Sequence, residues 1–289
     1  MLFDTHAHLE IIDDLEGSIK RAKEAGVEKI ITIGTSLESS KKAVEIAEKF
    51  SDDDLQIYAT CGLHPKDAKS ELKRLHYNDI LKSLKSLALS SEKVVGLGEC
   101  GLDYYPDTAD KDKNFQKELF ETQINLAADL NLPLIIHCRN GWDEIFDLME
   151  AKRGPSSLSS VFHSFTGNWQ AAQKALDLGF YISFSGIVTF KNAKEIQEVA
   201  KKMPLERLLI ETDSPFLTPE PIRSGPPKLT SRLSSTIRTR LEERNRRGYK
   251  QNEPKNVRII AEFLANLRSQ PIDKIIGASA DNAKRLFGI

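Results

Sequence analysis

The sequence predicts an α/β fold, a single-domain (β/α)8 TIM barrel, and three observations carry that expectation. Short apolar, β-branched runs alternate with segments of helical spacing along the whole chain. There are eight such runs, and strict alternation of that number within 289 residues favours a closed parallel barrel over an open doubly wound sheet, the alternative architecture. No Pro/Gly/Ser-rich stretch divides the chain, so residues 1–289 read as one domain.

The predicted strands, in order, are LFDTH (2–6), VEKIITIG (27–34), LQIYATCG (55–62), VVGLGEC (94–100), LPLIIHC (132–138), SVFHSF (160–165), FYISFSG (180–186) and RLLIETD (207–213). Between them, Phe115, Leu119, Ile124, Leu126 and Leu130, and likewise Ile145, Phe146 and Met149, recur at helical spacing. Two further helical patterns, NVRIIAEFLANL (256–267) and SADNAKRLF (279–287), follow the eighth strand. One stretch breaks the rhythm: residues 222–253 form a connection far longer than ordinary βα loops. From Arg223 to Lys250 it carries nine basic and two acidic residues, a net of +7 in a chain whose total is −1. Leu233, Ile237 and Leu241 recur every fourth residue, so part of this insertion reads as an amphipathic helix.

With 40% hydrophobic and 29% charged residues, the chain is neither basic enough overall to declare nucleic-acid binding nor acidic enough for disorder. No apolar run approaches the roughly 18 residues that span a bilayer. No basic segment precedes an apolar stretch at the N-terminus, so the expected location is the cytoplasm, or the nucleus if the source is eukaryotic. Cys61, Cys100 and Cys138 lie far apart without C-x-x-C spacing, which excludes a zinc ribbon and suits buried thiols in a reducing compartment.

A barrel of this kind places its reactive groups where strands end, at the carboxyl face. His6 and His8 end the first run and, two residues apart on a strand, face the same side. Glu99 ends the fourth run, His137 the fifth, His163 lies in the sixth and Asp213 closes the eighth, while His64 follows the third in GLHP. His76 alone among the six histidines falls elsewhere and reads as a surface residue. Four imidazoles and two carboxylates buried together need a counter-charge, and divalent cations supply it. Six ligands exceed one tetrahedral site, so two ions sharing a carboxylate are the more economical arrangement, with Glu99 as the bridge. Asp4 then packs or orients the two histidines.

Other motifs are weaker. GLGECG (96–101) matches the dinucleotide fingerprint in letters, but no helix opens at its glycines, so small residues making room at a crowded barrel centre are the better reading. Ser164 lacks a G-x-S-x-G elbow, and Cys138 points away from its neighbour His137. DYYP (103–106) either stacks a base or caps the mouth.

The motifs DTHAHL, GLHP, GLGECGLDYY, LNLPLIIHCRN, VFHSFTG, GFYISFSGIVTF, LLIETDSPFLTPEPIR, NEP and DNAKRLFG, in this order, resemble the TatD-type metal-dependent hydrolases of the amidohydrolase-like barrel superfamily. The resemblance spans nearly the whole chain. It implies His6, His8, Glu99, His137, His163 and Asp213 as metal ligands, the same six that strand ends select. It also implies two divalent ions (Mg2+ or Mn2+ in activity, Zn2+ as an alternative occupant) and deoxyribonuclease action, often 3′-to-5′ on single strands. DNA is then the partner, with RNA or tRNA as further candidates. In the resulting mechanism Glu99 bridges, Asp213 is ligand and general base, and His64, Arg139 and Arg223 grip phosphate. The alternatives are that His64 only orients its loop and that Arg139 pairs with Asp143. A rival chemistry on the same ligands acts at carbon, as an amidase, lactonase, deaminase or D-aminoacyl-tRNA deacylase. One departure stands out. In compact members the arginine after ETDxPxLxPxP leads almost directly to RNEP, whereas here the basic insertion separates Arg223 from NEP.

Overall fold

The computed structural model describes residues 1–68, 77–152, 158–224 and 251–289. His76 and the proposed amphipathic stretch of the insertion, with Leu233, Ile237 and Leu241, lie outside the described residues.

The chain runs β1 (Leu2–Ala7), α1 (Leu15–Glu24), β2 (Val27–Thr32), α2 (Leu37–Phe50), β3 (Gln56–Cys61), α3 (Tyr77–Ala88), β4 (Val94–Asp103), α4 (Asp110–Leu130), β5 (Leu134–Arg139), α5 (Trp142–Ala151), β6 (Ser160–Phe162), α6 (Trp169–Asp177), β7 (Tyr181–Phe184), α7 (Lys194–Lys202), β8 (Leu208–Ile210), α8 (Val257–Leu267) and α9 (Ile272–Phe287). The eight strands pair in parallel and in chain order, as a (β/α)8 barrel requires. One residue layer joins Phe3, Ile31, Val95, Ile135, Val161, Tyr181 and Leu209, with Tyr58 against it, so every strand contributes to the interior. Leu286 and Phe287 at the end of α9 pack on this layer and plug the amino end of the barrel. Helix α9 starts seven residues earlier than its sequence pattern suggests, directly after Pro271.

Strand ends deviate from the predicted runs for local reasons. β6 and β8 leave the ladder after three residues each. The chain beyond them turns through the left-handed region at Ser164 (φ 41°) and Asp213 (φ 53°), a conformation Asp tolerates better than most residues. His163 and Asp213 therefore project from turns at the barrel rim rather than from strands. β4 instead continues to Asp103, pairing Leu102 with Cys138 and Asp103 with Arg139. Gly98 (φ 138°) and Gly101 (φ 133°) allow this: a Cβ would lie 2.5 Å from the Ile135 carbonyl oxygen at the first and 2.1 Å from that of His137 at the second. Gly96 makes room for the Ile135 side chain of the interior layer, as expected of small residues at a crowded centre, whereas Gly98 and Gly101 make room mainly for the backbone of β5, and no helix opens at them.

The barrel closes through its two most distant segments. The Asp213 N–H donates to the His6 carbonyl (2.8 Å) and the His8 N–H to the Ser214 carbonyl (2.7 Å). Behind them the buried Asp4 carboxyl accepts from the Thr212 N–H (2.7 Å) and is 2.6 Å from Thr212 Oγ1. Burial pushes the Asp4 carboxyl up to about 8, against the lowering pull of the Thr212 bonds. Asp4 is therefore the clasp of the β1–β8 seam, a firmer role than the packing expected of it. All three cysteines are free and buried.

Thr212→Val keeps the shape but removes the hydroxyl shared by Asp4 and Ser214. Denaturant unfolding should show a loss of about 1–3 kcal/mol, the cost of leaving buried polar partners unmet. A variant as stable as wild type would show that the clasp contributes nothing.

Candidate metal centre

The ladder is irregular at the two places that carry site residues. The β1–β2 register shifts between Asp4 and Ala7, and the β4–β5 register between Leu97 and Cys100, around Glu99. Such breaks re-aim side chains at barrel rims. His6 and His8 consequently bring their Nε2 atoms within 3.3 Å of each other.

Glu99 stands at the centre, and its two oxygens address different partners. Oε2 lies 3.6 Å from both His6 Nε2 and His8 Nε2. Asp213 Oδ1 completes this group at 3.7 Å from His6 Nε2 and 3.3 Å from His8 Nε2. On the other side, Oε1 lies 2.9 Å from His137 Nδ1 and 2.9 Å from His163 Nε2, which are 3.1 Å apart. His64 Nε2 approaches the same oxygen at 3.6 Å. The six side chains singled out as ligands in the sequence thus meet in one cluster, with His64 beside them.

Arg139 and Arg223 sit differently. Arg139, exposed at the end of β5, places a guanidinium nitrogen 3.5 Å from Asp103 Oδ1 and donates to the Tyr105 hydroxyl. The alternative pairing with Asp143 does not hold, since Asp143 pairs with Lys174 (3.2 Å). Arg223 lies over the Phe190 ring (4.1 Å) and 3.6 Å from Glu220. His64 also has the loop-orienting role considered for it, accepting the Lys66 N–H at Nδ1 (3.2 Å).

Three carboxylates in this site escaped the sequence reading. Asp103 Oδ2 stands 3.3 Å behind His137 Nε2, Glu211 Oε1 3.5 Å behind His163 Nδ1, and Glu10 Oε1 3.8 Å behind His8 Nδ1. Carboxylates so placed fix the tautomer and ring orientation of a ligating histidine. Glu211 is itself held by the Ser164 N–H at 2.6 Å. The available signals were faint: Glu211 precedes Asp213 by two residues in ETD, and Asp103 ends the GLD that follows Glu99.

The electrostatics of the cluster call for positive charge. Burial alone would raise Glu99, but His163 and its neighbours hold it well below the usual carboxylate range. Burial opposes charging His8, yet Asp213 and Glu10 push it up to about 9. His163 is likewise raised well above its ordinary value, against burial, by Glu99 and Glu211. His64, for which burial dominates, is pushed down to about 3 and so stays neutral. His6 Nδ1 is buried without a hydrogen bond, and His137 Nε2 and His163 Nδ1 face Asp103 and Glu211 as ion-pair contacts outside hydrogen-bond geometry.

The spacing of the donor atoms suits cations. Ligands about 2.1 Å from a tetrahedral ion lie about 3.4 Å apart; the Nε2 atoms of His6 and His8 lie 3.3 Å from each other and 3.3 to 3.7 Å from Glu99 Oε2 and Asp213 Oδ1. Adjacent ligands about 2.1 Å from an octahedral ion lie about 3.0 Å apart; those among His137, His163 and Glu99 Oε1 run from 2.9 to 3.1 Å.

Comparison with known proteins bears on the same chemistry. The family model for the TatD related DNases matches residues 3–288. The chain belongs to the TatD family. Among TatD relatives, the metal-dependent hydrolase YabD of Bacillus subtilis is 39% identical over the full length of both chains. A protein of Pantoea ananatis named 3′-5′ ssDNA/RNA exonuclease TatD is 31% identical, also over the full length of both. The crystal structure of YjjV, a TatD homologue from Escherichia coli K12, superposes with a TM-score of 0.82 at 29% identity, covering 100% of this chain and 98% of that one. TatD proteins are hydrolytic, and this one is a metal-dependent hydrolase of the TatD family.

Protein stripped with chelator should melt at a lower temperature than protein given Mn2+ or Zn2+, since an ion at 100 times its Kd stabilises by about 2.7 kcal/mol. Glu99→Gln should lose most of that increment in melts followed by circular dichroism. An equal increment in Glu99→Gln would place the ions elsewhere.

Proposed function

We propose that this protein is a metal-dependent phosphodiesterase, a 3′-to-5′ exodeoxyribonuclease on single-stranded DNA with RNA as a second polymer, built on residues 1–289 as one unit. The observation that carries the reading is the division of Glu99, whose two oxygens face two separate groups of donor atoms. That division supports two divalent ions, Mg2+ or Mn2+ in activity with Zn2+ as an alternative, held by His6, His8, Glu99 and Asp213 on one side and His137, His163 and Glu99 on the other. When bound, such a pair supplies Lewis acidity, making water acidic enough to attack near neutral pH and polarising a phosphoryl oxygen. The name carried by the Pantoea ananatis relative supports a nucleic-acid substrate.

The chain's own groups divide the remaining work. Asp213, held below the usual carboxylate range against burial by His8 and His6, is ionised and can take the attacking water's proton at its carboxylate. Glu10, Asp103 and Glu211 hold the imidazoles behind the donor atoms, limiting rotation of the rings. His64, neutral and adjacent to Glu99, can donate to a phosphoryl oxygen, and Arg139 presents a guanidinium at the rim. Arg223 would join them only across the loop that carries it.

The basic insertion favours phosphate over carbon-centred substrates. Its far end is pinned beside the cluster, where the Asn252 amide donates to the Thr212 carbonyl (2.8 Å), one residue from Asp213. A segment carrying +7 that ends there would add a local field that attracts polyanions.

Glu99→Ala and Asp213→Ala should each abolish release of nucleotides from end-labelled single-stranded DNA, as should chelator, while circular dichroism stays native. Near-normal turnover in either folded variant would remove that residue from the mechanism. Hydrolysis confined to amides, lactones or aminoacyl-tRNA in the same assay would move the chemistry to carbon. Deleting 224–249 should flatten the dependence of oligonucleotide binding on log salt more than it reduces cleavage of bis(4-nitrophenyl) phosphate. An unchanged slope would leave the insertion without a role in binding.

A further inference from the structure

Beside the metal cluster, a second group of side chains has the chemistry of a nucleotide subsite. The loop after β3 sends His64 inward to Glu99 and Lys66 outward, the Lys66 N–H bonding His64 Nδ1 at 3.2 Å. Lys66 Nζ lies 3.2 Å from Asp103 Oδ2 and 3.6 Å from the centre of the Tyr105 ring. Arg139 meets the other oxygen of Asp103 at 3.5 Å, stands 4.6 Å from the same ring centre and donates to its hydroxyl. Two cations thus share one carboxylate, which also touches His137, so the group keeps a net positive charge one contact away from the cluster.

Tyr105 is 43% exposed, one of only two large hydrophobic residues among those described that are so open to solvent. A tyrosine at a rim with its hydroxyl tethered is held in one orientation, and a flat ring can stack on it. A cavity of about 430 Å3 opens beside it, its lining including the apolar Pro65, Tyr105 and Phe115, the carboxylates Asp107 and Asp112, and Lys66. Its volume falls within the range of small-ligand pockets, about 300–1,000 Å3. The lining can sort the parts of a nucleotide. Asp107 and Asp112 repel phosphate and suit the donating amino and hydroxyl groups of a base and sugar, while Lys66, itself on the cavity wall, and Arg139 hold the phosphate.

We propose that Lys66, Tyr105 and Arg139, braced by Asp103, form a subsite for the nucleotide adjoining the scissile phosphodiester, Tyr105 stacking its base and the two cations holding its phosphate. The inference rests on the nuclease reading and extends it to a specificity element that acts only on polymers. DNA and RNA share this chemistry, since neither stacking nor phosphate contact requires a particular sugar.

The test compares Mn2+-loaded wild type, Tyr105→Ala, Tyr105→Phe and Lys66→Ala on single-stranded oligoadenylates, DNA and RNA in separate arms, and on bis(4-nitrophenyl) phosphate, which has no neighbouring nucleotide. Tyr105→Ala should lower the ratio of kcat/KM for oligonucleotide to that for the small diester by about tenfold or more, as loss of one stacked base does. Tyr105→Phe should restore most of the ratio, because the ring is kept. In the Glu99→Gln background, anisotropy should show Lys66→Ala weakening binding of a labelled oligonucleotide, with a slope against log salt smaller by about 0.7, one single-strand phosphate contact. If wild type hydrolyses only the small diester, the nuclease reading fails and the subsite with it. If oligonucleotides are cleaved but Tyr105→Ala leaves the ratio unchanged, or lowers both activities equally, the subsite alone is overturned.

Discussion

The seam between β1 and the turn after β8 is the contact on which the rest of this molecule depends. It joins residues more than 200 positions apart, and it does so with the same short segments that carry His6, His8 and Asp213. The backbone bonds His6–Asp213 and His8–Ser214 close the barrel and fix the separation of three donor atoms in one stroke. Asp4 and Thr212 brace the closure from behind, where no water can replace a lost partner. A barrel that closed with a shifted register would still bury its apolar layer, but its Asp213 carboxylate would no longer face the two imidazoles.

Closure gathers charge that an apolar core would not tolerate. Glu10, Glu99, Asp103, Glu211 and Asp213 meet His6, His8, His64, His137 and His163 at the rim. In the protein alone, His8 and His163 are raised and Glu99 and Asp213 lowered, while burial lowers His6 and His64 and raises Glu10, so the cluster compensates itself with protons only in part. Divalent cations would supply the rest with fewer particles and stronger fields. The carboxylates are not equivalent. Glu99 and Asp213 face donor nitrogens from within the cluster, and the other three stand behind rings whose remaining nitrogens they orient.

Much of this was legible in the sequence because buried parallel strands read as continuous apolar runs, against which a histidine or carboxylate at the end is conspicuous. That contrast located all eight strands and the six clustered side chains. It failed where the signal was not an exception to a pattern. Asp103, Glu211 and Glu10 are three of 42 acidic residues, and nothing local distinguishes a carboxylate behind a histidine from one on a helix surface. The early ends of β6 and β8 depend on left-handed turns at Ser164 and Asp213, residues that do not demand that conformation. The alternative pairing of Arg139 with Asp143 rests on their nearness in sequence, whereas its partner is a cross-strand neighbour, Asp103. The start of helix α9 is hidden because Gly277 separates its first turn, where Ile272, Ile275 and Ile276 keep helical spacing, from the run that begins at Ser279.

Asp103 ties the two halves of the rim together. Its single charge is shared among His137, Lys66 and Arg139, and its carboxyl is held down to about 2 because those partners outweigh the cost of burial. A phosphate that engages Lys66 and Arg139 competes with Asp103 for them, and the carboxylate it displaces has His137 as its remaining partner. Strengthening that contact makes His137 Nδ1 a more basic ligand for an ion beside Glu99. By the reciprocity of linked equilibria, an ion that draws on His137 also loosens the hold of Asp103 on the two cations and leaves them freer for phosphate. Occupation of the proposed subsite and of the donor cluster would then favour each other through one side chain, Asp103.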